Sequence, residues 1–360
     1  MTRRPALPVG VLALLLALGA APATAQTGEA AVSVVYRQVV ADPALADTAS
    51  LGQVAVPLSV LATVAPGVDV SLRAAYASTT RGGAAGVDGF TDAQVGLSVR
   101  RSVAGGQVAV AVTGVLPGGS ELGRDEATTA FLAAQDFYGF AARPLRSGPS
   151  VAPSVSVAIP AGPALVVGGG VAYRMRAAFD PRAGLDASFD PGDEILVTAG
   201  FDALLANGST VAVDGSYVRF GTDTLGELEY TTGDAFGGSV EWAGLVGRTA
   251  LRVLAAARQK AESDVDPATR ARLGLDTAVP TQGRVAVLAR VPVGARLGVG
   301  VEVGGRYYAA SEAFGSRSLV DLRLTPSVAL GGGAALVGRI GGTVGSLTAV
   351  EAGVGVSISL

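Results

Sequence analysis

The segment that most constrains this chain is its last, Ala349-Val-Glu-Ala-Gly-Val-Gly-Val-Ser-Ile-Ser-Leu360. In an extended strand, Val350, Ala352, Val354, Val356, Ile358 and Leu360 share one face. Glu351, Gly353, Gly355, Ser357 and Ser359 share the other. A helix would scatter both sets around its axis, because its period is 3.6 rather than 2. Greasy residues on one side and small or polar ones on the other predict a strand held between lipid and a wet interior. The pattern runs to the final residue, as expected of a barrel whose C-terminal strand closes the wall.

The alternation recurs upstream. Val68, Val70, Leu72, Ala74 and Tyr76 oppose Asp69, Ser71 and Arg73. Leu297, Val299, Val301 and Val303 oppose Arg296, Gly298, Gly300 and Glu302, and Val320, Leu322 and Leu324 oppose Asp321, Arg323 and Thr325. A β-sandwich also alternates, but its polar face meets bulk water and is rich in Lys, Glu and Thr. Here the polar face is mostly Gly, Ser and Ala with a sparse set of charges, which suits a narrow lumen. Composition agrees: 51 glycines, 49% hydrophobic and only 16% charged residues, with a mean hydropathy of +0.45.

Short turns join the strands in pairs. The clearest hairpins are 52–64 with 67–79 (Pro66-Gly67), 92–102 with 106–117 (Gly105-Gly106) and 193–206 with 209–221 (Asn207-Gly208). Asn-Gly and Gly-Gly between alternating runs are strong hairpin signals. Further pairs are 151–161 with 163–176, 236–246 with 248–261, 281–293 with 295–309, and 317–330 with 333–342. Adding 29–40 and 348–360 gives about sixteen strands, with fourteen as the fallback. An even count places both termini and all tight turns on one side, as in bacterial outer-membrane barrels. The expected fold is an all-β, transmembrane, antiparallel up-and-down barrel over residues 26–360. Tyr76, Tyr173, Tyr217 and Tyr307 fall near the loop-side strand ends, in phase with lipid-facing neighbours, and predict an aromatic girdle.

Residues 1–25 read as a cleaved export signal. Arg3 and Arg4 precede an apolar run from Val9 to Leu18, and Ala23-Thr24-Ala25 offers a cleavage site. That run is about ten residues, short of the roughly 20 that a spanning helix needs. Export and a barrel together place the chain in the outer membrane of a Gram-negative envelope. Its expected partners are outer-membrane lipid and, through the C-terminal strand, the barrel-assembly machinery. The net charge of −3 leaves no footprint for nucleic acid.

Chemistry is narrowed by what the composition lacks. The sequence has no His and no Cys, which removes His- or Cys-based metal sites, disulfides and Ser-His-Asp catalysis. Its single Lys, Lys260, belongs to no phosphate-binding loop. Carboxylate chemistry is not excluded by composition, but no acid pair is marked as tuned. No enzyme activity, cofactor or metal is expected. Passage remains. By strand parity Arg73, Arg100, Arg174, Arg252, Arg290, Arg306 and Arg323 point inward, in phase with Asp69, Asp214, Glu302, Asp321 and Glu351. Such charges either set selectivity in a wet pore or pair across strands and fill the interior.

Of the expected outer loops, the third, 118–150, is the longest. From Glu121 to Phe140 it reads as a short helix followed by an aromatic cluster. A long, apolar loop of this kind is usually functional. One reading folds it into the barrel as a constriction lined by Phe131, Phe137, Tyr138 and Phe140; a surface cap or an extra hairpin at 134–145 are the alternatives. The loops at 178–192 and 222–235 are acidic: Asp180, Asp186 and Asp190, with Asp193 and Glu194 just beyond, in one, and Asp223, Glu227, Glu229 and Asp234 in the other. Carboxylate clusters can hold Ca²⁺, but neither loop has the spacing of a calcium loop, so solvated surface charge is the expectation.

Three segments carry a resemblance to a known family. Val68-Asp-Val-Ser-Leu-Arg-Ala-Ala-Tyr76, Phe90-Thr-Asp-Ala-Gln-Val-Gly-Leu-Ser-Val-Arg100 and Gly114-Val-Leu-Pro-Gly-Gly119 resemble stretches of the outer-membrane transporter barrels related to the fatty-acid transporter and the aromatic-degradation-pathway porins. The likeness covers the first half of the chain. It departs at Phe90-Thr-Asp92, where the usual glycine is missing, and no plug-like N-terminal domain is expected before the barrel. The resemblance implies diffusion of small molecules, hydrophobic ones among them, and carries over no substrate residue. A structural or adhesive barrel with a filled lumen is the alternative.

Overall fold

The computed structural model describes residues 27–42, 50–82, 84–118, 122–143, 148–180, 188–264, 281–311 and 314–359. The export signal proposed for residues 1–25 lies outside them. Where hydrophobic and small residues alternate, the chain is extended, and the turn residues set the breaks. The wall begins with β1 (Thr27–Ala41), β2 (Leu51–Ala65) and β3 (Val68–Arg81). Next come β4 (Val87–Phe90), β5 (Ala93–Val103), β6 (Gly106–Leu116), β7 (Ser150–Pro160) and β8 (Leu165–Arg176). A two-residue strand β9 (Phe189–Asp190) precedes β10 (Glu194–Leu204) and β11 (Thr210–Phe220), then the short β12 (Thr222–Leu225) and β13 (Leu228–Thr231). The wall is completed by β14 (Ala235–Val246), β15 (Thr249–Lys260), β16 (Thr281–Pro292), β17 (Leu297–Tyr308), β18 (Arg317–Gly331), β19 (Ala334–Gly345) and β20 (Thr348–Ser359).

Each wall strand pairs antiparallel with its neighbours, and β1 meets β20 in register from Glu29↔Ser359 to Ala41↔Thr348. The sheet therefore closes and has no edge to leave unpaired in lipid. β4 and β5 share one place in the wall, because β4 pairs the upper part of β3 and β5 its lower part. The result is a closed barrel of sixteen wall strands. The interruption falls at Thr91-Asp92, where the Asp92 carboxylate accepts the Gly118 N–H at 2.9 Å and ties β4–β5 to the end of β6. That contact joins two of the three segments on which the family resemblance rests.

The tight turns carry their expected conformation. Gly67 has φ +75°, and a Cβ there would lie 2.5 Å from the Arg100 carbonyl oxygen, so the first hairpin requires glycine. Outward positions are apolar and open to the surroundings; Ile340, for example, is 63% exposed and Leu322 53%. A continuous band of such residues around a wall of 11–15-residue strands meets the length needed to cross a bilayer. Tyr173 and Tyr307 lie exposed on this outer face with Tyr36 and Phe236. Tyr76 packs edge-on to Phe90, and Tyr217 against Phe236.

The acidic loops are not simply solvated. β9, β12 and β13 form a small separate sheet, held by Asp223, which is 3% exposed. Its carboxylate accepts the Gly192 N–H at 2.8 Å and the Thr232 hydroxyl at 2.5 Å. Tyr230 packs beside it, and burial, reinforced by the Asp223 charge, pushes its hydroxyl pKa up. Asp193 accepts the Tyr173 hydroxyl and the Arg176 N–H, and Asp234 accepts the Tyr217 hydroxyl. The expectation of free surface charge is corrected for these residues: they cap backbone and tyrosine donors that loops leave over. Asp186 lies outside the described residues. Among the described residues no group of three or more acidic side chains is placed to hold a metal ion.

Candidate functional site

The largest buried apolar cluster is not between layers of the wall, which is a single sheet. It lies in the mouth, where the long third loop packs against inward-facing residues. α1 (Arg124–Ala133) begins at Gly123, whose N–H donates to the Glu126 carboxylate at 2.8 Å. Thr129 on α1 is fully buried and donates to the Ala85 carbonyl at 2.9 Å, fastening the helix to the loop before β4. A 3₁₀ turn at Asp136–Tyr138 follows and ends on Gly139 with φ +66°. Phe137 and Tyr138 are fully buried among Val39, Leu51, Tyr308, Phe314, Leu319 and Leu347.

The wall grips this turn with polar groups as well. Arg37 on β1 donates from Nε to the Tyr138 carbonyl at 2.5 Å. Arg306 on β17 donates to the Asp136 carbonyl at 3.1 Å. Gln53 on β2 donates to the Ala142 carbonyl at 2.9 Å and accepts the Ala142 N–H at 3.1 Å. The Arg317 guanidinium lies 4.2 Å from the Phe137 ring centroid and pairs with Asp42 at 3.0 Å. Asp42 also accepts the Tyr138 hydroxyl at 2.7 Å. Burial, helped by this bond and the Asp42 charge, pushes the Tyr138 pKa far above its ordinary 10.0. The hydroxyl therefore stays protonated at any neutral pH.

Of the four aromatic residues expected to line a constriction, Phe137 and Tyr138 do not face the bore. Their side chains are driven into the gap between the loop and the wall, where they act as anchors. Phe131 stacks on Phe314 at 6.2 Å and Phe140 leans on Tyr138 at 6.1 Å, both partly exposed. Over the described residues 134–143 the alternative hairpin at 134–145 is not formed, and a 3₁₀ turn stands at Asp136–Tyr138; residues 144 and 145 lie outside the described residues.

Below the turn, an ion network covers the wall from β16 round to β1. Glu351 pairs with Arg37 at 3.2 Å, Arg323 at 3.1 Å and Arg339 at 3.0 Å. Glu302 pairs with Arg323 at 2.8 Å and Arg284 at 2.7 Å. Asp321 accepts Arg306 Nε at 2.5 Å and Nη2 at 2.8 Å, and the Thr343 hydroxyl at 2.6 Å. The inward candidates Arg306, Asp321, Arg323, Glu302 and Glu351 are thus brought together. Arg100 pairs with Asp69 at 2.7 Å, and Arg252 with Glu241, each away from the network. Arg290 shares the inward phase of Arg284 on β16 and is exposed, and Asp214 lines an inward recess beside Thr198, Ser216 and Ser239. Arg73 and Arg174 border a cavity of about 840 Å³ beneath Ala141–Arg143. It reaches across the lumen from β8 and β10 to β19 and β20.

Sequence reasoning did not single out Arg37, Gln53, Arg317, Arg176, Arg284 or Arg339. Strand parity was sufficient to turn Arg37 inward, since its neighbour Tyr36 belongs to the outer face. Nothing in the spacing indicates that it meets residue 138.

Comparison with known proteins adds the frame. No known protein family matches the sequence, and no curated protein matches it. Solved structures do. CdiB from Acinetobacter baumannii aligns with a TM-score of 0.56 at 10% identity, covering 93% of this chain and 60% of that one. The fold is that of an outer-membrane β-barrel. OprB from Pseudomonas putida aligns over 98% of this chain and 97% of its own at 10% identity, with a TM-score of 0.48. A loop-deletion mutant of OmpT from Vibrio cholerae gives 0.46 at 11% identity, covering 94% and 100%.

Proposed function

We propose that this chain is a porin-like channel of the outer membrane, which lets small molecules diffuse passively through a bore narrowed by its third loop. The observation that carries the reading is the docking of residues 136–142 on the inner wall through Arg37, Gln53 and Arg306, above a lumen that still holds a cavity of about 840 Å³. A barrel with no passage has no need of a positioned restriction over open space. The small inner face of β7–β11, with Ser154, Ser156, Gly168, Gly170, Thr198 and Gly200, supports an open side opposite the ion network. The resemblance of segments 68–76, 90–100 and 114–119 to the fatty-acid-transporter and aromatic-pathway barrels supports small solutes, hydrophobic ones included. The alternative, a filled structural barrel, draws on the buried network around Glu351.

Conductance in a planar bilayer separates the two. The folded protein should give discrete single-channel steps, and replacing residues 121–147 by a short Gly-Ser link should enlarge them. The wall should survive, because closing a loop depends only weakly on its length. A barrel silent with and without the loop is the filled one. Unchanged steps after the replacement would remove the loop from the permeation path.

A further inference from the structure

The cavity beneath the loop is lined by five guanidinium groups, Arg73, Arg143, Arg174, Arg176 and Arg339, and by two carboxylates, Asp92 and Glu194. The carboxylates are already engaged. Glu194 is shared by Arg174 at 2.9 Å and Arg176 at 3.1 Å, leaving that trio one positive charge in excess. Asp92 accepts the Gly118 N–H, a neutral donor that does not cancel its charge, and Arg143 is paired with Asp136, so the five guanidinium groups still outnumber the carboxylates that face or pair with them. Arg339 shares Glu351 with Arg37 and Arg323, so that cluster is also short of negative charge. Arg73 is exposed to the cavity, and among the described residues no carboxylate is paired with it. The chain as a whole carries a net charge of −3. The excess of positive charge at this cavity is therefore local and is hidden by the net charge of the chain.

We infer that this cavity is an anion station on the permeation path and that Arg73 is a residue that determines selectivity. The inference rests on the channel reading and gives its solute a class: small anions, attracted by uncompensated guanidinium groups and handed along the hydroxyls of Ser33, Ser59, Ser150 and Ser357. Charge lining a narrow aqueous path focuses the field on whatever passes. A free unit charge about 6 Å from a permeating ion, screened by salt, changes the anion-to-cation ratio by roughly threefold.

The test is the reversal potential in a planar bilayer under a KCl gradient. The wild-type protein should reverse on the chloride side of zero. Arg73→Gln should shift it toward the potassium side by about a threefold change in permeability ratio, and Arg143→Gln in the loop should shift it the same way. Arg248→Gln, in the exposed turn between β14 and β15, removes the same charge outside the lumen and should leave it in place. Current with a reversal potential at zero or on the potassium side overturns the anion station and leaves the channel standing. A shift in Arg248→Gln equal to that in Arg73→Gln overturns it too, since surface charge would then account for both. A barrel that passes no current overturns the channel reading and this inference with it.

Discussion

Placing a charge at successive positions of β20 tests the orientation of the whole wall. The strand has twelve residues, Thr348–Ser359. A rise of about 3.3 Å per residue at a tilt of about 40° gives roughly 2.5 Å of height per residue, so the strand spans nearly the full hydrocarbon core. Val354 is then within a few ångströms of the bilayer centre; it is 52% exposed and flanked by Val34 and Gly338. Ile358, four residues on, faces the same way about 10 Å nearer the turn side. Ser357 faces inward between Ala31 and Ala335, on the border of the cavity. Arg costs roughly 2–4 kcal/mol at the centre of the lipid face and about 0–1 near its edge. Val354→Arg should therefore lose about 2–4 kcal/mol, Ile358→Arg about 1 or less, and Ser357→Arg about 1 or less because its guanidinium reaches water. Urea titration in lipid vesicles, read by the fluorescence of Trp242, the single tryptophan, measures all three. If Ser357→Arg costs as much as Val354→Arg, the assignment of lipid and lumen faces is wrong.

Two further outcomes concern the docked loop. Phe137→Ala removes a ring packed 4.6 Å from Tyr138, 5.0 Å from Phe314 and 5.8 Å from Tyr308, centroid to centroid. A loss of roughly 3–5 kcal/mol should release the loop rather than the wall: channel steps should enlarge and the urea midpoint stay near wild type, whereas an unfolded barrel would show that the loop supports the wall. Tyr138 keeps its proton while docked, whereas a released tyrosine loses it above about pH 10, so docking is fully stable below that value and weakens by about 1.4 kcal/mol per pH unit above it. Conductance should climb above pH 10 in the wild type and stay flat in Tyr138→Phe; the same climb in both would assign it to another group.

The wall was legible in the sequence and the mouth was only partly so, for a physical reason. A strand of a barrel answers to its own alternation and to the turn at its end, and both are local. Hence 52–64 and 67–79 anticipate β2 and β3 within two residues at each end, and 236–246 and 248–261 anticipate β14 and β15 within one. β4 escaped because Thr91-Asp92 breaks the alternation inside one wall strand. The sheet of β9, β12 and β13 escaped because strands of two to four residues leave no period to read. The helix and aromatic run of the third loop were visible as composition. Which wall residues receive them was not, since Arg37 is 101 residues from Tyr138. Parity tells a side chain which face to take and says nothing of what it meets there.

Arg37 and Glu351 stand directly opposite each other on the first and last strands of the wall, and both are nearly inaccessible. The same guanidinium that faces Glu351 across this seam also holds the Tyr138 carbonyl. The socket for the loop is therefore assembled from the two ends of the chain and does not exist until they have met. A barrel still open at the seam would lack the Glu351 carboxylate that faces Arg37 where this side chain holds the loop. A slip of β20 by two residues would set Ala349 or Gly353 in place of Glu351 and leave Arg37 without its facing carboxylate. One side chain thus ties the docking of the third loop to the seam where the wall closes.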